Sequence, residues 1–214
     1  MRAVIYHSST KALWPSLPDD AYERLFKGFI RNSRPYCDCV FHLTIEGNPG
    51  WGDATIWPFE GTTLKSKDIM YNREVMFTQF LKYAASIDTV YWFTEPDARI
   101  VKEFPPLADD VDLALLYRDD DVHITPSFRL ARKAALPVFE WVLEHFDGPR
   151  DWHGDSMAFN ALYEAMGFPQ LNDRFTWNGV RIELRDYNDY TRKHSKYVRH
   201  WKAFSKSQLL AQEG

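Results

Sequence analysis

The run Asp88-Thr89-Val90-Tyr91-Trp92-Phe93-Thr94-Glu95-Pro96-Asp97 constrains this chain more than any other stretch. Residues 90–93 are β-branched or aromatic without a polar interruption, which predicts a strand buried on both faces and a sheet covered by helices on both sides. The strand ends on two carboxylates, Glu95 and Asp97, at positions i and i+2. Ligands of open α/β sheets bind beyond the carboxyl ends of the strands. Two acids there suit a hard divalent cation, and they also suit a solvated turn. Pro96 fixes its own φ and biases Glu95 toward extended backbone, so the pair is held rather than loose.

The flanking pattern places this strand in a layered domain. Residues 3–6 form a first apolar strand whose polar exit, His7-Ser8-Ser9-Thr10, can reach a ligand. A helix follows to about residue 31, capped by Asp19 or Asp20, with Tyr22, Leu25, Phe26, Phe29 and Ile30 on one face. Residues 37–45 read as a second strand, broken by Glu46-Gly47-Asn48-Pro49-Gly50. Residues 54–57 read as a short strand, and residues 72–85 as a helix feeding the organising strand. Beyond the two acids, residues 111–117 and 122–130 predict strands joined by an acidic turn at 118–121. Helices are predicted at 137–146 and 155–166, each stopped by Gly and Pro. A hairpin over 175–184 turns at Asn178-Gly179. Alternating strands and helices followed by a mixed half predict one α/β domain over 1–214, with a mixed central sheet flanked by helices.

Composition narrows the function. A formal charge of −4 argues against a general nucleic-acid coat. Residues 181–206 nevertheless hold eight Lys or Arg against three acids, so a basic tail closes an otherwise acidic chain. Cys37 and Cys39 are too close for an ordinary disulfide, and in a strand they would face opposite ways; they read as small hydrophobes in a reducing compartment. No apolar run approaches the roughly 18 residues of a membrane span, so the expectation is a cytoplasmic protein without a membrane partner.

Three polar clusters lie at the ends of different elements. The first is Glu95-Pro96-Asp97. The second is Trp152-His153-Gly154-Asp155-Ser156, where a helix begins and Asp155 can equally be a simple cap. The third is His194-Ser195-Lys196-Tyr197-Val198-Arg199-His200-Trp201-Lys202, which suits a diphosphate and a cation, or a solvated basic helix. Together they ask for a metal and a polyanion, as a nucleoside diphosphate provides.

The element order and these motifs resemble the GT-A-fold, Rossmann-like glycosyltransferases of the glycogenin and lipopolysaccharide galactosyltransferase type. Glu95-Pro96-Asp97 resembles that family's Asp-X-Asp metal motif, with Glu in first place and an unusual proline between. Asp155-Ser156-Met157-Ala158-Phe159-Asn160 resembles its Asp-Gln-Asp-X-X-Asn helix start, with Ser156 where the family has Gln. His194 to His200 is similar to its late His-X-X-Gly-X-X-Lys segment, with Tyr197 in place of the glycine.

The resemblance implies a Mn²⁺ or Mg²⁺ ion on Glu95, Asp97 and His194. It implies phosphate contacts from Lys196, Arg199 or Lys202, and a donor contact from Arg73. Nucleoside contacts fall to Tyr6, His7 and Ser8. Asp155 would meet the donor sugar; inversion at the anomeric centre would need a base, for which Asp155, His153 and Asp151 are the candidates, and retention would need none. The implied enzyme is a hexosyl- or pentosyltransferase using a nucleotide-sugar, first of all a UDP-sugar. Residues 1–100 would form its nucleotide-binding half and 101–214 its acceptor half. The acceptor is a glycan, a protein or a hydroxylated DNA base, the last suggested by Tyr187, Tyr190, Tyr197 and Trp201 among basic residues. A metal-dependent phosphoesterase is disfavoured by too few clustered His and Asp. A nucleotide-binding module without turnover stays open.

Overall fold

The computed structural model describes residues 1–7, 17–60, 62, 64–65, 68–120, 123–149, 152–191, 195–201 and 206–212. A mixed eight-stranded sheet runs through it. Across the sheet the strands are β3 (Ala54–Ile56), β2 (Val40–Thr44), β1 (Arg2–His7), β4 (Tyr91–Thr94), β7 (Ile124–Ala131), β6 (Leu113–Tyr117), β9 (Val180–Asp186) and β8 (Arg174–Trp177). The first four are mutually parallel; β7 runs antiparallel to both β4 and β6, β9 lies parallel to β6, and β8 antiparallel to β9. Two further strands, β5 (Ala98–Ile100) and β10 (Val198–His200), pair antiparallel outside this sheet.

Period-2 alternation sorts the central strands into two cores. Val4, Tyr6, Tyr91 and Phe93 face one side, toward α2 (Ile69–Gln79), α3 (Leu136–Glu144) and α4 (Trp152–Ala165). Ala3, Ile5 and Trp92 face the other, toward α1 (Ala21–Ser33), β5 and α5 (Tyr187–Thr191). The strand predicted over 90–93 is therefore buried on both faces, displaced by one residue. A last helix, α6 (Lys206–Gln212), leans on α1.

Local boundaries differ from the sequence expectation where tertiary contacts intervene. Cys37 and Cys39 precede β2 rather than belonging to it; burial pushes the Cys37 thiol up to about 12, which keeps it protonated and unreactive. Asp20 occupies the cap position of α1, but its side chain makes no cap bond. The helix predicted from 155 starts at Trp152. Gly154 permits this, because a Cβ there would lie 1.7 Å from the Pro149 carbonyl oxygen and only glycine lets the incoming loop close so tightly. At the predicted hairpin, Asn178 and Gly179 take φ of 49° and 77°, as a type I′ turn requires.

Candidate active site

Because β4 ends at Thr94, Glu95 is the first residue beyond the sheet, on the edge where β1 and β2 also end. Asp97 leads directly into β5. The tail returns as β10, whose His200 lies opposite Ala98, and Trp201 N–H donates to the Asp97 carbonyl at 3.1 Å. Through this pairing the imidazole Nε2 comes within 3.0 Å of Glu95 Oε2 and 3.0 Å of Asp97 Oδ1. One oxygen from each acid and the ring nitrogen all lie within 4.8 Å of one another.

Lys206, the first residue of α6, puts Nζ 2.8 Å from Asp97 Oδ2. Leu209 and Leu210 hold it there by packing on Ala21, Tyr22 and Leu25, and Arg24 donates to the Leu210 carbonyl at 2.8 Å. From the opposite layer, Arg73 of α2 donates through Nη1 to Glu95 at 2.6 Å and through Nη2 to Asp155 at 2.8 Å. Its Nε donates to Glu74 at 3.1 Å. Glu74 is gripped in turn by both terminal nitrogens of Arg129, at 2.7 and 2.6 Å.

Four carboxylates, Glu74, Glu95, Asp97 and Asp155, thus face four cations, Arg73, Arg129, His200 and Lys206. Burial works against every one of these charges, and pairing answers it. His200 and Arg73 hold the Glu95 carboxyl down at about 2 against its burial, and Lys206 and His200 hold Asp97 well below the usual carboxylate range. Against its own burial, His200 is pushed up to about 9 by Asp97 and Glu95. Asp155 is the exception. Burial, with Glu74 and Glu95 nearby, lifts it to about 6 despite the pull of Arg73.

No protein-family profile and no curated protein matches the sequence. Solved structures match its shape. A glycosyltransferase involved in glycosylation of the major capsid of PBCV-1 aligns with a TM-score of 0.58 and 10% identity, over 99% of this chain and 98% of the other. The glycosyltransferase GlyE of Streptococcus pneumoniae TIGR4 aligns at 0.61 and 9% identity over 99% of this chain, which spans 59% of that one. An active-site mutant of LgtC aligns at 0.52 and 10% identity, covering 100% of this chain and 95% of its own. The fold is GT-A-like.

Within this GT-A-like frame, Glu95, Asp97, Arg73 and Asp155 of the predicted set converge. Tyr6 and His7, at the end of β1, line a cavity with Arg73, Asp97 and Lys206. His7 packs against the Tyr22 ring at 4.1 Å, and burial with His42 and Lys206 nearby keeps it neutral, at about 3. Ser8, Asp151, His194 and Lys202 lie outside the described residues. His153 is exposed, two residues from Asp155 on α4 and therefore on another side of the helix. Lys196 is exposed over the Tyr197 ring. Arg199 follows the alternation of β10 and lies on the face opposite His200, its guanidinium 5.5 Å from the Trp201 ring centroid. Tyr187 and Tyr190, read as free to stack bases, are buried in the core beneath β5 and β10.

The imidazole at the acids is His200, and the ammonium is Lys206. A signal for both was present, because His200-Trp201-Lys202-Ala203-Phe204-Ser205-Lys206 has the His-to-Lys spacing of the late family segment with Ala203 at the glycine position. Aligning that segment on His194 instead put the spacing out of register. Glu74 and Arg129 had no comparable signal; each is a lone charge in an otherwise ordinary helix or strand.

Proposed function

We propose that this chain is a metal-dependent glycosyltransferase that moves a sugar from a nucleoside-diphosphate sugar to an acceptor hydroxyl. The observation that carries the reading is the convergence of Glu95, Asp97 and His200 at the carboxyl edge of β4, with Lys206 beside them. Two carboxylates and an imidazole form a hard oxygen and nitrogen donor set, which fits Mn²⁺ or Mg²⁺. Bound there, such an ion supplies charge neutralisation for a departing diphosphate. Lys206, 2.8 Å from Asp97 and beside that position, is assigned to the phosphate oxygens, leaving Asp97 when they arrive. Tyr6 and His7, in the same cavity, are assigned to the nucleoside.

Transfer breaks the bond between the anomeric carbon and the phosphate oxygen, the diphosphate leaving with the bonding pair, and forms one to the acceptor oxygen, whose hydroxyl proton passes to the departing diphosphate or to a base. The Arg73–Asp155 pair is assigned to the donor sugar, with Asp155 accepting from its hydroxyls and Arg73 keeping that carboxylate in one orientation. In this reading the half before β5 supplies the nucleotide side, and the later half supplies the acceptor side together with His200 and Lys206. A glycan or protein hydroxyl is the preferred acceptor, because the tail aromatics that motivated a DNA base are largely built into the core. Among the described residues no helix is long and apolar enough to cross a membrane.

A thermal-shift panel of nucleotide-sugars with and without Mn²⁺ tests the reading, with Asp97→Ala as its control. The expected result is a shift that needs donor and Mn²⁺ together, accompanied by slow donor hydrolysis, with both lost in Asp97→Ala. Wild-type hydrolysis rates in that variant would exclude the metal role. A nucleotide shift without sugar release would mark a binding module.

A further inference from the structure

We infer that the buried Glu74–Arg129 pair is a positioning device: it fixes Arg73 so that one guanidinium holds Glu95 and Asp155 in a set geometry. The inference rests on the reading of Glu95 and Asp155 as site residues given above. Arg129 lies in the middle of β7 and is 1% exposed, caged by the rings of Phe77, Phe139 and Phe159 at 4.8 to 5.3 Å. Such a cage is a large desolvation cost unless the charge is fully answered. It is answered by both oxygens of Glu74, with Nη2 and Nε also facing the Pro126 carbonyl.

The consequence falls on Arg73, the next residue to Glu74 on α2. A dry Glu74 without Arg129 would have only Arg73 to neutralise it and would draw in the whole guanidinium. With Arg129 occupying both Glu74 oxygens, Glu74 holds the inner edge of Arg73, Nε at 3.1 Å and Nη2 at 3.0 Å, while Nη1 reaches outward to Glu95 and Nη2 is shared with Asp155. Those acids come from the end of β4 and the first turn of α4, so one side chain sets the distance between two elements. The arrangement is anchored to the core on one side and ends at the site on the other. Neither Glu74 nor Arg129 faces the cavity beside Glu95 and Asp97.

The test reads Arg73 directly. Rotation about its Nε–Cζ bond exchanges the two terminal nitrogens and requires the bonds to Glu95 and Asp155 to break together, along with the Nη2 contact to Glu74. ¹⁵N exchange NMR on the full chain measures that rate, with Arg73→Lys assigning the signal. In the wild type, Arg73 should rotate about tenfold or more slowly than Arg132, whose contacts are long ones to backbone carbonyls and Asp109. Equal rates would overturn the inference without any variant.

Glu74→Gln with Arg129→Met removes the pair as a unit, leaves no orphaned charge and keeps an acceptor for Nε. In that folded variant rotation should accelerate about tenfold, and donor-hydrolysis kcat should fall about tenfold with KM within about twofold. Arg129→Lys, one nitrogen with the same charge but without the two-nitrogen fork, should fall between the two. Unchanged rotation in the folded double variant would reduce the pair to a structural filler. If the wild type hydrolyses no donor, the transferase reading fails, while the rotation rates still decide the positioning claim.

Discussion

Titrating His200 should release stabilisation that can be measured. The ring is buried between Glu95 and Asp97 and is pushed from 6.5 up to about 9. A raised value means that the folded state binds the proton more tightly than the unfolded chain does. The stabilisation is complete below pH 6.5 and is lost as pH rises through 9. At about 1.36 kcal/mol per pH unit, the window from pH 6 to 9 removes about 3 kcal/mol. Urea unfolding followed by tryptophan fluorescence, with the unfolding free energy extrapolated to water at each half pH unit, measures it. His7 and His42, which burial holds neutral at about 3 and about 4, act with the opposite sign and return stability as pH rises through 6.5, and the Cys37 thiol, pushed up to about 12, adds a loss as pH passes 9. All three remain in His200→Gln, so the difference between the wild-type and His200→Gln curves isolates His200 and should fall by about 3 kcal/mol between pH 6 and 9. A difference constant to within about 0.5 kcal/mol would show that the imidazole does not carry the charge described here. The same proton must leave when a cation takes Nε2, so Mn²⁺ binding below pH 9 should release protons and tighten as pH rises, which calorimetry in two buffers detects.

Other perturbations have different signatures. Arg129→Met alone leaves Glu74 in a dry core with Arg73, already shared with Glu95 and Asp155, to neutralise it and should cost about 3–5 kcal/mol, a drop of roughly 6–20 °C in Tm for a chain of this size; adding Glu74→Gln should recover most of it in differential scanning calorimetry. Gly154→Ala drives a Cβ into the Pro149 carbonyl and should destabilise by about 1–3 kcal/mol, with donor turnover falling further than stability because Asp155 is the next residue. Lys206→Met removes the ammonium from Asp97 and should weaken nucleoside-diphosphate binding about tenfold or more, read by isothermal titration, while Mn²⁺ still binds.

What the residues determine alone is what short-range stereochemistry controls. The double-faced strand at 90–93, the amphipathic helix carrying Leu25 and Phe29, and the Asn178-Gly179 turn follow from period and backbone preference over a few positions. So does the delivery of Glu95 and Asp97 to a sheet edge, since a buried strand must end where its apolar run ends. Only the tertiary structure decides which partners meet those acids. Two histidines lie six residues apart in the tail; the His-to-Lys spacing singles out His200, but spacing alone brings neither to the acids. The pairing of β10 with β5 puts His200 beside Asp97 and turns Arg199 to the other face. The docking of Leu209 and Leu210 on α1 then brings Lys206 to Asp97. The pairing of Glu74 with Arg129 is likewise invisible along the chain, because a charge joins a buried network only after the sheet and helices have closed around it and removed the water that would otherwise solvate it.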